Sequence, residues 1–235
     1  MRRRACAGLL LLAAGLAAAD APAPLYETTA PSADGIGVRF LGREIARVMG
    51  YEGAPWLERA EREQEERTDL LLPELHLAPG MAVADIGAGT GYVARRMARL
   101  VGPRGRVEAV DLQPRMIELL RESARAERLA QIHPVLSTVD DARLAPASID
   151  LAILVDVYHE LERPYEMIES VVRALKPGGR LVFVEYRAED PAVPIKPLHK
   201  MSVAQVRREA ALHALEFERA AEPLPWQHIL VFRRR

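Results

Sequence analysis

The stretch AVADIGAGTGYVARRMA, from Ala82 to Ala98, decides how the middle of this chain folds. Apolar and small residues lead to Asp85, glycines follow at positions 87, 89 and 91, and an amphipathic helical pattern begins at Tyr92. Glycine lets the backbone turn sharply and lets a ligand approach the main chain, and a helix start adds unpaired N–H groups. The pattern therefore predicts a strand, a glycine-rich turn and a helix that together bind a nucleotide-like ligand.

Two classes of ligand use such a turn, and the spacing of the glycines separates them. A dinucleotide site needs G-x-G-x-x-G, with the pyrophosphate resting on the helix end. Here Gly91 comes one residue early and Tyr92 fills the sixth position, which disfavours a pyrophosphate. Asp85 would repel phosphates but suits a cationic or zwitterionic ligand. Asp111, which follows the next apolar stretch, is placed to accept hydrogen bonds from a ribose diol.

Strand and helix patterns alternate from residue 82 onward. The strand candidates are Ala82–Ile86, Arg106–Val110, Ile132–Val135, Leu151–Val155, Arg180–Glu185 and His228–Phe232. Helical patterns cover Tyr92–Val101, Pro114–Leu129, Tyr165–Leu175 and Val203–Leu215. The C-terminal stretch EFERAAEPLPWQHILVFRR contains no helical pattern and predicts a hairpin-like strand pair. We therefore expect an α/β fold with a seven-stranded mixed sheet of order 3-2-1-4-5-7-6, strand seven antiparallel, and helices on both faces.

The N-terminus has the composition of an export signal. Three arginines at positions 2–4 precede an apolar run at residues 7–16, and residues 17–19 offer an A-x-A cleavage site. Even when the alanines up to residue 19 are included, the apolar run is only about 13 residues long, too short for a stable membrane anchor. We therefore predict a signal peptide at residues 1–19 and a periplasmic or secreted protein with no stable membrane anchor after cleavage. The alternatives are a misassigned start codon or a buried helix, in which case the protein is cytoplasmic.

Three further segments follow the predicted signal. Residues 20–36 contain three prolines and small polar residues, and this composition predicts a linker. Apolar residues at helical spacing predict one helix over residues 38–49, and a second is predicted over residues 55–75, whose charged run indicates a solvated face. We expect residues 37–76 to form a helical lid over the ligand site and residues 77–235 to form the main domain.

Four segments resemble motifs of class I S-adenosylmethionine-dependent methyltransferases, specifically those with a methyltransferase domain of type 11 or 25. VADIGAGTGYVARRMA is similar to their first motif, D/E-x-G-x-G-x-G, and EAVDLQPRMIELL to the second. VDDARLAPASIDLAILVDVYHEL resembles the segment from the adenine contact into strand four, and LKPGGRLVFVEY resembles the turn and strand five. The resemblance spans residues 55–235. It implies a Rossmann-like fold, methyltransferase activity, and S-adenosylmethionine as methyl donor with S-adenosylhomocysteine as product.

The resemblance also implies roles in cofactor binding. Asp85 would lie near the methionine amino group, Asp111 would bind the ribose hydroxyls, and Leu112 would pack on the adenine. Asp140 matches the acid that contacts the adenine amine, and a slip of one residue would assign this role to Asp141. The predicted cofactor-binding residues are Asp85, Gly87, Ala88, Gly89, Gly91, Asp111, Leu112, Asp140, Asp141 and Asp156.

Candidate catalytic residues follow strands four and five, at the carboxyl edge of the predicted sheet. Asp156 ends strand four, where the loop of the family passes the methyl group. His159 has the pKa of a general base near neutral pH, with Glu160 beside it, and a structural role is the alternative. Glu185 ends strand five and is predicted to orient the substrate, or else to cap a helix or pair with Arg187.

The loop after strand five, residues 189–202, is predicted to line the acceptor pocket. Lys196, His199 and Lys200 are its polar candidates, and ordinary loop packing is the alternative. The six histidines of the chain show no i,i+4 pair and no carboxylate cluster at metal spacing, so we predict no metal site. The net charge of −1 and the lack of an internal basic block predict no nucleic-acid partner.

Three functions are consistent with these patterns. The first is methyl transfer to a small-molecule acceptor. The second is methyl transfer to a side chain of an exported protein or peptide. The third is a non-catalytic module that binds S-adenosylmethionine. Methyl transfer from a sulfonium needs alignment of donor and acceptor more than a fixed catalytic residue, so the sequence does not identify the acceptor.

Overall fold

The structure, a computed structural model, describes residues 25–235. The predicted signal peptide and the first residues of the predicted linker lie outside the described residues. Between residues 25 and 235, no helix combines the length and the apolar character that a membrane crossing requires.

The N-terminal part of the described chain is a small antiparallel sheet instead of a linker and a helix. Its strands are β1 (Tyr26–Thr28), β2 (Gly35–Phe40) and β3 (Arg43–Ala46), in the order β1-β2-β3. The predicted helix over residues 38–49 is therefore wrong, and so is the predicted linker where β1 and the start of β2 lie. Leu41 and Gly42 join β2 to β3 with φ values of 46° and 90°, a two-residue hairpin turn. The alternation of Ile36, Val38 and Phe40 carried the strand signal that the helical spacing obscured.

The predicted second helix is broken into three short ones. They are α1 (Ala54–Leu57), α2 (Arg62–Glu66) and α3 (Thr68–Glu74). The break between α2 and α3 falls at Arg67, whose φ of 50° no helix can accommodate. The charged run is not fully solvated either, because Arg62 and Glu66 are only 6% and 4% exposed and pair with each other at 2.7 Å. Residues 37–76, the segment expected to form a helical lid, therefore form strands followed by short helices, and the lid role stays a prediction.

The centre of the molecule is a mixed sheet with helices on both faces. In chain order the elements are β4 (Ala82–Ile86), α4 (Tyr92–Val101), β5 (Arg106–Asp111), α5 (Pro114–Ala126), β6 (Ile132–Leu136), β7 (Ile149–Val155), α6 (Pro164–Ala174), β8 (Leu175–Arg187), β9 (Lys200–Met201), α7 (Val203–Ala210), β10 (Leu215–Ala221) and β11 (Gln227–Arg234). All strands and helices predicted from residue 82 onward are present, with ends that differ by up to a few residues.

The order of the strands confirms the predicted topology. The sheet runs β10-β11-β8-β7-β4-β5-β6, with the two-residue β9 paired to β8 outside this path. Read from the other end and counted along the domain, this is 3-2-1-4-5-7-6. The pairs formed by β4, β5, β6, β7 and β8 are parallel, whereas β11 is antiparallel to both β8 and β10. The core fills both faces of the sheet, with α3, α4 and α5 on one face and α6 and α7 on the other.

Candidate active site

The glycine-rich turn carries the chain from the end of β4 to the start of α4, as the sequence predicts. Gly87, Gly89 and Gly91 have φ values of 74°, 55° and 87°, in the left-handed region that glycine adopts at little cost. A Cβ atom on Gly87 would lie 2.5 Å from a methyl carbon of Val157, and one on Gly91 would collide with Leu120. Backbone conformation and contacts with neighbouring segments therefore both require glycine in this turn.

A cavity of about 470 Å³ opens beside this turn, at the carboxyl ends of β4, β5 and β7. Ligands of open α/β sheets bind at this edge. The predicted site residues that line it are Asp85, Gly87, Ala88, Gly89, Asp111, Leu112, Asp156, His159 and Glu160. Four others lie outside the lining drawn from the described residues: Gly91, Asp140, Asp141 and Glu185.

Asp111 ends β5 and ties the glycine turn to the next strand. Its Oδ2 accepts a hydrogen bond from the backbone N–H of Gly89 at 2.8 Å, and its Oδ1 accepts one from the backbone N–H of Gln113, also at 2.8 Å. Burial raises the pKa of this carboxyl above its ordinary value, and the backbone donors offset part of that rise. Asp111 therefore shapes the turn as well as facing the cavity.

Asp85 ends β4 with a buried carboxylate that faces the cavity. Its Oδ2 finds no hydrogen-bond donor among residues 25–235, and burial raises its pKa to about 7. An unpartnered buried carboxylate is costly and marks a place where a ligand is expected to supply the partner. A positively charged amino group, such as that of the methionine part of S-adenosylmethionine, fits this requirement.

Asp156 directly follows β7 and lies in a similar environment. Its backbone is in the left-handed region, with φ of 53°, and its Oδ2 accepts a hydrogen bond from Gln227 Nε2 at 3.1 Å. Its Oδ1 is buried and has no partner within the described chain. Burial, with added repulsion from the charges of Glu66 and Glu185, raises its pKa well above the ordinary value. A strained backbone and an unpartnered carboxylate oxygen together indicate a functional position.

The predicted adenine contacts Asp140 and Asp141 point elsewhere. The Asp140 carboxylate accepts a hydrogen bond from Thr138 Oγ1 at 2.7 Å, and the Asp141 carboxylate accepts one from the backbone of Arg143 at 2.7 Å. Their turn is closed on itself, because the backbone N–H of Asp141 also donates to Thr138 Oγ1. The cavity wall here is formed by residues 137–139 instead. These are the first residues after β6, so their position at the carboxyl end of a strand could have indicated them.

His159 is buried in the cavity wall, in a network of charged side chains. Its Nδ1 lies 2.6 Å from Glu185 Oε2, and Glu185 Oε1 accepts a hydrogen bond from the backbone of Tyr158 at 2.7 Å. Its Nε2 lies 3.2 Å from His199 Nδ1 and 3.7 Å from Glu160 Oε1. Burial alone would lower the pKa of His159, but the charges and hydrogen bonds of the two glutamates raise it to about 10.

This network assigns different places to the predicted catalytic residues. His159 and Glu160 face the cavity, whereas Glu185 is fully buried behind the His159 ring and does not reach the cavity. Glu185 therefore positions His159, and the ion pair with Arg187 that the sequence left open does not form. His199 comes from the loop after β8, which is strand five of the predicted sheet. It is distant from His159 in sequence but close to it in the folded structure. Lys196 also lines the cavity, whereas Lys200 donates to the backbone carbonyl of Val193 at 2.6 Å.

Several lining residues come from the N-terminal segment and from β8, and sequence reasoning missed them. Met49 and Trp56 form part of the wall, and Trp56 is 43% exposed with the Arg59 guanidinium 3.8 Å from its ring centre. Arg62 and Tyr186 complete this side of the cavity. No periodic pattern singles out such residues, because they meet only when the N-terminal hairpin and helices pack on the sheet edge.

The family comparison identifies the central segment. Residues 83–179 match the model of a family described as methyltransferase domain. This segment contains the glycine turn, both strand-end carboxylates Asp85 and Asp111, and the pair His159–Glu160. The match supports, for this segment, the methyltransferase activity and the S-adenosylmethionine donor that the sequence resemblance implies.

Each individual relative aligns with only part of this chain. An uncharacterised 37.1 kDa protein of a Streptomyces fradiae transposon is 33% identical over 116 residues, which cover 49% of this chain and 33% of that protein. A ubiquinone biosynthesis O-methyltransferase of Xanthomonas campestris pv. campestris is 26% identical over 148 residues, 63% of this chain and 61% of the relative. The chain thus spans between one third and two thirds of the length of these relatives.

A solved structure shares the fold over most of the described chain. The structure of a SAM-dependent methyltransferase from Aquifex aeolicus superposes with a TM-score of 0.76 at 21% identity, covering 80% of this chain and all of that one. At this level of identity the likeness establishes the Rossmann-like fold, as the sequence predicts.

Proposed function

We propose that this enzyme of the S-adenosylmethionine-dependent methyltransferase type transfers a methyl group to a small-molecule acceptor. One observation carries the proposal: a single cavity is lined by the carboxylates of Asp85 and Asp111 and also by His159, Glu160 and His199. The first two suit an amino acid and a ribose, and the other three supply polar groups for an acceptor. The ubiquinone biosynthesis relatives, whose name indicates a small-molecule product, support the choice of acceptor class.

Binding and orientation are the main tasks of the protein in this reaction. Bound S-adenosylmethionine supplies an electrophilic methyl group on a sulfonium, so the protein has to align the acceptor and exclude water. Asp85 would pair with the cofactor amino group and Asp111 with the ribose hydroxyls. Ile86, Val155 and Met49 line the same cavity and keep its interior apolar. Removing water strengthens every polar contact inside it.

We assign proton removal from the acceptor to the part of the cavity that His159, Glu160 and His199 line. With a pKa near 10, His159 carries a proton at neutral pH in this network, so it acts as a donor to its neighbours and not as the base. Glu160 and His199 face the same space and are the groups that we propose to position the acceptor hydroxyl or amine. Glu185 holds His159 in place from behind.

We also propose that the protein works outside the cytoplasm. The support is the order of three arginines, a short apolar run and an A-x-A site at residues 2–19. Export would separate the enzyme from the compartment in which S-adenosylmethionine is made, so the cofactor would have to reach it. A cytoplasmic location is the alternative if the signal is not used.

Labelled cofactor tests the proposed activity. Purified protein is incubated with S-adenosylmethionine carrying a labelled methyl group and with a periplasmic extract of its host, and the products are separated by size. We expect label in the small-molecule fraction. Label in the protein fraction would support an exported protein or peptide as acceptor, and binding of S-adenosylhomocysteine without any transfer would support a non-catalytic module. Asp111→Ala is the control that should lose transfer.

A further inference from the structure

Three side chains meet in the wall of the cavity, although some forty residues separate one of them from the other two in sequence. His159 and Glu160 lie in a helical turn after β7, and His199 lies in a similar turn before β9. We call these three the His–Glu–His cluster. Each of them lines the cavity. Within residues 25–235 this is the group whose ligand atoms approach one another closely enough to hold a metal ion.

The spacing of the three ligand atoms is that of a metal site. His159 Nε2 lies 3.2 Å from His199 Nδ1, His199 Nδ1 lies 3.4 Å from Glu160 Oε1, and Glu160 Oε1 lies 3.7 Å from His159 Nε2. The point equidistant from three atoms at these separations lies about 2.0 Å from each, and zinc–nitrogen and zinc–oxygen bonds measure about 2.0–2.2 Å. A cation at a small distance from the plane of these atoms would therefore reach all three.

Groups behind the cluster orient two of its members. Glu185 Oε2 lies 2.6 Å from His159 Nδ1, so this ring nitrogen donates to a carboxylate and Nε2 is turned toward the other two ligands. The backbone N–H of Met49 donates to Glu160 Oε2 at 3.3 Å, which leaves Oε1 for the cluster. Metal-binding histidines commonly donate their second ring nitrogen to a carboxylate in this way, which fixes the tautomer and the ring orientation.

We propose that the His–Glu–His cluster binds one divalent transition-metal cation of the zinc class, with its remaining coordination position facing the cavity. Two imidazoles and one carboxylate suit zinc and its neighbours, whereas calcium and magnesium prefer oxygen ligands. Three protein ligands with an open position are the arrangement of catalytic metal sites. An oxygen or nitrogen of the acceptor can occupy that position. Cation binding itself does not depend on methyl transfer.

Charge balance supports the same assignment. Glu160 and Glu185 place two carboxylates around two imidazoles, and Arg43 is engaged by Glu209 through two hydrogen bonds of 2.7 and 3.0 Å. Lys196 pairs with Asp34 at 2.5 Å. A bound cation would balance the two carboxylates of Glu160 and Glu185. The alternative, a proton on His159 and no cation, is a hydrogen-bonded relay, and the experiment separates the two.

Zinc binding to the full chain, prepared without a histidine tag and stripped with a chelator, tests the proposal. After equilibrium dialysis against zinc chloride we expect one zinc per chain. His199→Ala and the near-isosteric Glu160→Gln should lower zinc affinity at least tenfold. His133→Ala removes an exposed histidine of β6 that lies outside the cavity lining, and it should bind zinc as the wild type does. Cobalt(II) in place of zinc should give a visible spectrum without a thiolate charge-transfer band, which separates the cluster from Cys6.

Thermal unfolding of the same samples shows whether the variants are folded, and S-adenosylhomocysteine binding tests the proposed function separately. Zinc binding that is absent from the wild type, or equal in the wild type, His199→Ala and Glu160→Gln, would overturn the metal site and support the relay. Binding of S-adenosylhomocysteine without binding of zinc would overturn the metal site and leave the proposed function standing. Zinc binding without S-adenosylhomocysteine binding would leave the metal site standing and contradict the proposed function.

Discussion

Two effects favour opposite protonation states of Asp85. Burial in the unliganded protein favours the neutral carboxyl, whereas the positively charged group of a bound ligand is expected to favour the carboxylate. With a pKa of about 7, Asp85 is largely protonated in mildly acidic solution. A ligand ammonium requires the ionised form, so S-adenosylhomocysteine affinity should fall by up to about tenfold per pH unit below 7. Calorimetry between about pH 5.5 and 8 measures this dependence. Asp85→Asn should bind weakly with a flat profile, whereas Asp140→Asn, at an exposed site, should keep the wild-type profile.

The same carboxyl should also affect stability, and the sign is fixed by the direction of its shift. Its pKa in the folded protein, about 7, exceeds the ordinary value of 3.8, so the folded state holds the proton more tightly. Stability of the unliganded protein should therefore fall as pH rises from about 4 through 7, by at most about 4 kcal/mol from this group. Urea unfolding of Asp85→Asn should show that this loss has disappeared. A loss in the variant that equals or exceeds that of the wild type would contradict the assigned cause.

Asp111 is expected both to bind the ribose hydroxyls and to hold the glycine-rich turn in place. Asp111→Ala removes two charge-assisted hydrogen bonds to the ligand, each of which contributes about 1.5–3 kcal/mol, so S-adenosylhomocysteine affinity should drop at least tenfold. Because Gly89 and Gln113 also donate to this carboxylate, the less disruptive Asp111→Asn belongs in the comparison. Thermal unfolding checks that both variants fold. Unchanged affinity in a folded Asp111→Ala would refute the ribose role, and tighter binding of NAD than of S-adenosylhomocysteine would refute the cofactor.

Among the structural elements, the hairpin of β2 and β3 has the most direct connection to the site. Arg43 of β3 forms a bidentate ion pair with the fully buried Glu209 of α7 and also donates to the backbone carbonyl of His159 at 3.3 Å. It thus links the hairpin, the far side of the sheet and the turn that carries His159. This contact explains why an N-terminal segment outside the matched residues 83–179 forms part of the cavity.

Removing Arg43 should destabilise the protein because Glu209 would remain buried without its counter-charge. Loss of one member of a buried ion pair costs about 3–5 kcal/mol, so Arg43→Ala should lower the free energy of unfolding by that order. Arg39→Ala serves as the control. Arg39 lies on the adjacent strand, and its guanidinium donates to the backbone carbonyl of Gly42. Adding Glu209→Gln to Arg43→Ala should recover part of the loss. Equal urea midpoints for the two single arginine variants would contradict this account.

For the whole molecule, the prediction with the widest consequence is removal of the N-terminal segment. We expect cleavage after Ala19, or after Ala21, because an A-x-A pattern follows a short apolar run and three arginines. Four consecutive leucines, Leu9 to Leu12, leave no polar face for a helix packed on a globular surface. Intact mass of the protein isolated from its own host measures this. A cytoplasmic product that still begins at Met1 would contradict the prediction and remove the question of cofactor supply.

Local pattern was enough for the fold from residue 82 onward. Apolar runs, glycine turns and amphipathic periods are short-range signals, and here they agree with the packing, so the strand-to-helix turn at Gly87 and the sheet order were predictable. The strand-end acids Asp85, Asp111 and Asp156 were predictable for the same reason, since parallel strands bring their carboxyl ends to one edge. Their individual roles stay predictions.

Packing between distant segments decided the rest. The apolar spacing of residues 38–49 is compatible with helix or hairpin, and the two-residue turn at Leu41–Gly42 with docking on α7 selected the hairpin. Residues His159 and His199 are forty positions apart in sequence, yet their ring nitrogens lie 3.2 Å apart, so spacing along the chain excluded a metal site that spacing in three dimensions permits. The pKa values of Asp85 and His159 follow from burial and neighbouring charges, and those exist only once the chain is packed.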